Sequence, residues 1–173
     1  MIYDLGPDNG TLAVRTGRTG TVAKAGHDLL LHVTKWRGTL AVGDEPSVAL
    51  DADATSLKVR EGTGGMMALD DGDMANIEQT IDDEVLKRQD ISFRSTRVEE
   101  TADGLSVTGE LTVRGTTRPV AFDLALAESR VRGTAVVKQT EWGMKPYTAL
   151  FGALKVADEV TVAVDARLPS GTA

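Results

Sequence analysis

The chain has 173 residues, long enough for one domain with a sizeable core, and its 41% apolar and 26% charged residues are the balance of a globular protein. A net charge of −7 argues against a reader of nucleic-acid phosphates, and the lack of cysteine removes disulfides and thiolate metal sites. The N-terminal MIYDLGPDNG has neither the charged nor the apolar region of a secretion signal, and no apolar run reaches about 18 residues, so the expectation is a cytoplasmic protein with no membrane span.

Only 4% of the residues are aromatic, so a core has to be built from Val, Leu, Ala and Ile. In chain order, residues 3–10 read as a polar entry ending in the turn Gly6-Pro7-Asp8-Asn9-Gly10. Alternation predicts strands over 11–16, 21–25 and 29–34, then 35–42 with Gly38 inside it as the expected place of a bulge or bend. A long strand is predicted from Ser47 to Val59. The pattern then changes. Residues 61–73 form a glycine-rich polar loop holding Met66 and Met67, and Met74, Ile77, Ile81 and Val85 recur at helical spacing. The spacing predicts one inserted helix over about 74–88, with Asp73 as N-cap and Lys87 and Arg88 at its negative end.

Strands follow over 91–99, 104–113, 119–126, 129–140 and 159–168, the segment 141–148 being irregular. The clearest element is the hairpin GLSVTGELTVRGTTRPVAFDLAL. Leu105, Val107, Leu111 and Val113 alternate before the turn, and Val120, Phe122, Leu124 and Leu126 after it. Gly115 can supply a positive φ, and Pro119, lacking an N–H, suits a strand start. The short connections make the strands antiparallel, about eight to ten of them, which suggests a sandwich or an up-and-down barrel. No composition break marks a second domain, so residues 1–173 are read as one unit.

The hairpin carries a family resemblance. Gly109, Leu111, Thr112, Gly115, Thr117, Pro119 and Val120 resemble the signature hairpin of the YceI-like, lipocalin-like polyisoprenoid-binding family. Three further stretches agree in order: TVAKAGHDLLLHVTKWRGTLAV with His27 and Gly38, the ISFRST strand with Ile91, Phe93, Ser95 and Thr96, and the closing segment from Glu141 to Leu168. The family pattern has a proline just before the ISFRST strand, where this chain has Asp90. The resemblance implies a mainly β fold, an antiparallel barrel of about eight strands with the one inserted helix. It also implies non-catalytic binding, storage or transport of a polyisoprenoid or similar apolar lipid, with no cofactor.

Candidate ligand contacts follow from strand parity. His27, Leu29 and Leu31 share a face that points into the barrel, while His32 points out. Two histidines on opposite faces do not make a metal site. Phe93 and Arg97 share parity too, which places an arginine inside where it suits an anionic head. Phe122 is interior on the hairpin, Trp142 is a large aromatic in an irregular loop, and Met67 is placed to act as a flexible apolar lid. The other residues of the hairpin are expected to shape the barrel and bind nothing. Exposed strand edges would allow a homodimer. Two alternatives stand beside lipid binding: a barrel enzyme using His27 as acid or base, and a filled barrel acting as an interaction module.

Overall fold

A computed structural model describes residues 1–20, 27–64, 69–149 and 154–169. Its elements are β1 Ile2–Leu5, β2 Gly10–Arg15, β3 Arg18–Thr19, β4 Asp28–Val33, β5 Trp36–Ala41, β6 Ser47–Ala52, β7 Leu57–Thr63, helix α1 Asp71–Thr80, β8 Ile91–Glu100, β9 Gly104–Val113, β10 Thr116–Ala127, β11 Arg130–Lys138, β12 Thr148–Ala149, β13 Leu154–Val156 and β14 Glu159–Arg167. Eleven strands form one antiparallel sheet in the order β1-β5-β6-β8-β9-β10-β11-β14-β2-β4-β7, curled into a half-barrel. Strands β12, β13 and β3 make a separate small sheet. Among the described residues, no helix is long and apolar enough to cross a membrane.

The strand number therefore exceeds the eight expected, and the sheet ends in β1 and β7 rather than closing. The additional strands have two to four residues, too short to show a period of two in the sequence. Tertiary pairing creates them: β1, inside the segment read as a polar entry, pairs with β5 from Ile2↔Ala41 to Leu5↔Gly38.

The predicted strand 47–59 is broken. Asp53 accepts hydrogen bonds from the Thr55 amide at 2.8 Å and the Thr55 hydroxyl at 2.7 Å, capping a 3-10 turn at Ala54–Ser56. This short polar turn redirects the chain from β6 to β7. These bonds to the charged form, the Thr55 hydroxyl first, hold the Asp53 carboxyl below the usual aspartate range.

Gly38 makes no bulge, since its register runs unbroken against Leu50 and Leu5. The register shifts lie elsewhere, between Leu30 and Leu31 on β4 and between Ser95 and Arg97 on β8. The predicted strand 21–25 lies outside the described residues.

The hairpin appears as β9 and β10, with Arg114 and Gly115 at φ 52° and 75° in its two-residue turn. Two successive positive φ values match the twist of the flanking strands. Pro119 sits inside β10 rather than at its start, paired with Glu110. It fits because β11 pairs only with Asp123–Ala127, so no second neighbour asks for its missing N–H.

Helix α1 begins three residues before its expected start. Asp70, not Asp73, is the N-cap; Asp73 answers it in a reciprocal capping box. After Thr80 the helix widens into a π turn over Ile81–Val85, and Lys87 and Arg88 follow at positive φ beyond its end.

Leu105, Val107 and Ala166 are almost wholly shielded and pack one end of the half-barrel solidly. A second cluster around Leu31, Trp36, Leu57 and Val137 surrounds open space.

Candidate functional site

That space is a cavity of about 590 Å³, within the roughly 300–1,000 Å³ range of small-molecule sites. Alternation builds it. Each strand turns every second side chain inward, so β2 gives Leu12 and Val14, β4 gives Leu29, Leu31 and Val33, and β14 gives Val160, Val162 and Val164. Two glycines, Gly38 and Gly133, line it, and one of them helps to keep it open. A Cβ at Gly38 would meet its neighbours no closer than 3.5 Å. Packing therefore does not require glycine at 38, and its effect is to leave volume free.

The helix supplies the cover. Ile77, Ile81 and Val85, the face predicted from spacing, all line the cavity, while no residue of α1 is fully buried. Asn76 and Tyr147 line it too and are exposed, marking where it reaches the surface. Polar groups gather there: Thr16, Arg18, His27, Asn76, Thr80 and Tyr147. Arg18 places its Nε 3.0 Å from Asp28 Oδ1, and the two side chains are 23% and 45% exposed.

The predicted contacts divide. His27, Leu29, Leu31, Phe93 and Phe122 all line the cavity. The Phe93 and Phe122 rings stack at a tilt with centroids 5.3 Å apart. Phe93 also lies over Gly109, where a Cβ would come within 2.4 Å of its ring. His32 faces away from the cavity; burial, then the Arg60 charge, lowers its pKa, against the opposing pull of Glu61. Met67 lies outside the described residues.

Arg97 is a correction. The bulge leaves Thr96 without a partner in the register, so Ser95 opposes Gly109 and Arg97 opposes Thr108. One extra residue inverts the parity of all that follows. Arg97 consequently points to solvent, 72% exposed, with Nε 3.1 Å from Glu99 Oε1. Ser95 stays on the earlier phase, and its hydroxyl accepts from the Val48 amide at 2.9 Å.

Trp142 is another. It ends a 3-10 turn, is 2% exposed, and does not line the cavity. Its indole N–H donates to the Leu111 carbonyl at 2.8 Å, so it braces the wall from behind. The hairpin itself contributes more than Phe122, since Leu111, Val113, Val120 and Leu124 also form wall. Arg18, Asn76, Thr80 and Met144 were not singled out in the sequence. The helix face at Ile77 and Ile81 was the one available pointer to Asn76 and Thr80, their neighbours on the same turns.

An antiparallel sheet wrapped around an apolar cavity with a short polar mouth is the architecture of a lipocalin-like binding protein. The model of the YceI-like domain matches residues 3–168, and the chain belongs to that family. BcnA of Burkholderia cenocepacia shares its fold with a TM-score of 0.59 at 16% identity, over 90% of this chain and 94% of that one. The YCEI protein of Campylobacter jejuni gives 0.57 at 10% identity, over 82% and 85%. A cysteine mutant of the Campylobacter protein, solved with a monobromobimane guest, gives the same values. No curated protein matches the sequence.

Proposed function

We propose that this protein binds a long apolar lipid, a polyisoprenoid or a molecule like it, in the cavity and stores or carries it without chemical change. The observation that supports this most is the lining: aliphatic side chains from both ends of the sheet, four aromatic side chains, and most of its polar groups gathered near α1. Each methylene moved from water into such a space contributes roughly 0.8 kcal/mol, so a hydrocarbon chain is held by its surface alone. The polar mouth then has only a head group to accommodate. His27 serves as one of its contacts in this reading.

The test is native mass spectrometry of protein purified without detergent, followed by titration with isoprenoid alcohols. A retained lipid, or a melting temperature that rises with added isoprenoid, is expected. A protein that carries no lipid and does not respond to isoprenoids contradicts the proposal.

A further inference from the structure

We infer that the cavity takes ligands whose head is uncharged and accepts hydrogen bonds, and turns away those headed by a phosphate or diphosphate. This rests on the lipid-binding reading above. A guanidinium in the lining and the N-terminus of the covering helix are two devices that would ordinarily draw an anion. The chain's own carboxylates already meet both.

Arg18 is the only permanently charged residue among the described residues of the lining. Its Nε lies 3.0 Å from Asp28 Oδ1, and its other face is pressed on Gly64, where a Cβ would come within 2.5 Å of Nη2. At the start of α1, the Asp73 amide donates to Asp70 Oδ1 at 2.7 Å and the Asp70 amide to Asp73 Oδ2 at 3.1 Å. The cap fills the place an anion would take.

The cover adds charge of the same sign. Between residues 70 and 84 it carries seven Asp and Glu and no Lys or Arg. The first basic residues beyond it are Lys87 and Arg88, and Arg88 is engaged by Asp83 at 2.9 Å. Arg88 and Lys58 offset part of this charge at Asp82, but the cover stays predominantly acidic, and an anionic head would have to settle beside it. The Asn76 amide and the Tyr147 hydroxyl, both in the lining, donate and accept without charge. They suit a hydroxyl, carbonyl or amide.

Geranylgeraniol and geranylgeranyl diphosphate share one hydrocarbon chain and separate the head from the tail. Calorimetric titration of the full chain at low salt should find the alcohol bound about tenfold more tightly or better, a gap of about 1.4 kcal/mol. Added salt should narrow that gap by screening. Asp28→Asn should shift the preference toward the diphosphate severalfold. Should that variant fail to fold, the wild-type salt series decides alone. Diphosphate binding equal to or tighter than the alcohol at low salt overturns the inference and leaves lipid binding standing. If neither probe binds, the lipid reading fails and the inference with it.

Discussion

The same strands build two unlike regions. At one end Leu105 and Val107 of β9 and Ala166 of β14 are sealed at 0–1% exposure. A few residues along those strands, Leu111 and Val162 border a cavity and pack only on one side. The solid end holds the sheet in register, and the hollow end gives up packing that the same aliphatic residues could have made. A fold that stays folded while leaving about 590 Å³ unfilled must draw its stability from the other end.

Paired truncations probe this difference most strongly. Leu105→Ala should cost about 2–5 kcal/mol in urea unfolding, as a fully enclosed leucine does. Leu29→Ala, on the cavity wall, should cost about 1 kcal/mol or less, because one side of Leu29 already meets open space. Equal losses at the two positions would mean that the cavity wall is as tightly supported as the core.

Filling the hollow end is the second probe. Phe122→Trp adds bulk beside Phe93. It should weaken binding of a long isoprenoid alcohol by about tenfold or more while changing stability by only about 1 kcal/mol. Calorimetric titration beside thermal melting separates the two effects.

The polar turn between β6 and β7 gives a smaller one. Asp53→Ala removes a cap and should cost about 1 kcal/mol at neutral pH. Because the Asp53 carboxyl is held below its usual range, its contribution is complete above about pH 4 and is lost as the pH falls through the lowered value. The gap between variant and wild type should therefore close in acid.

Asp82 works in the opposite direction and more weakly. Its Oδ1 is buried without a partner, and burial raises the carboxyl pKa, with Asp83 and Glu78 adding to the effect and Arg88 and Lys58 opposing it. A raised carboxyl favours the folded state below its unfolded pKa of about 3.9, and that advantage disappears as the pH rises through the folded value. Asp82→Asn should raise the melting temperature slightly at neutral pH and leave it unchanged in acid.

Legibility in the sequence followed the regularity of the chain. His27, Leu29 and Leu31 could be placed inside because alternation holds along β4 on that side, and the hairpin was visible because ten residues alternate on one arm. Arg97 could not be placed by parity, because a single unpaired Thr96 reverses it and nothing in ISFRST announces a bulge. The break at Asp53 was written in Asp-Ala-Thr-Ser, turn chemistry masked by apolar alternation on both sides. The mouth was the least legible part. Arg18, Asn76 and Tyr147 come from a two-residue strand, a helix and an irregular segment, and only the tertiary fold brings them to one cavity.

Methyl NMR of the full chain, titrated with geranylgeraniol, tests the central claim most directly. The account predicts that the methyls of Leu29, Ile77, Ile81, Leu111 and Val162 shift and give contacts to the ligand, while those of Val98, Leu105 and Val107 stay in place. Shifts confined to the solid end or to outward-facing residues, or no shifts at all, would contradict it.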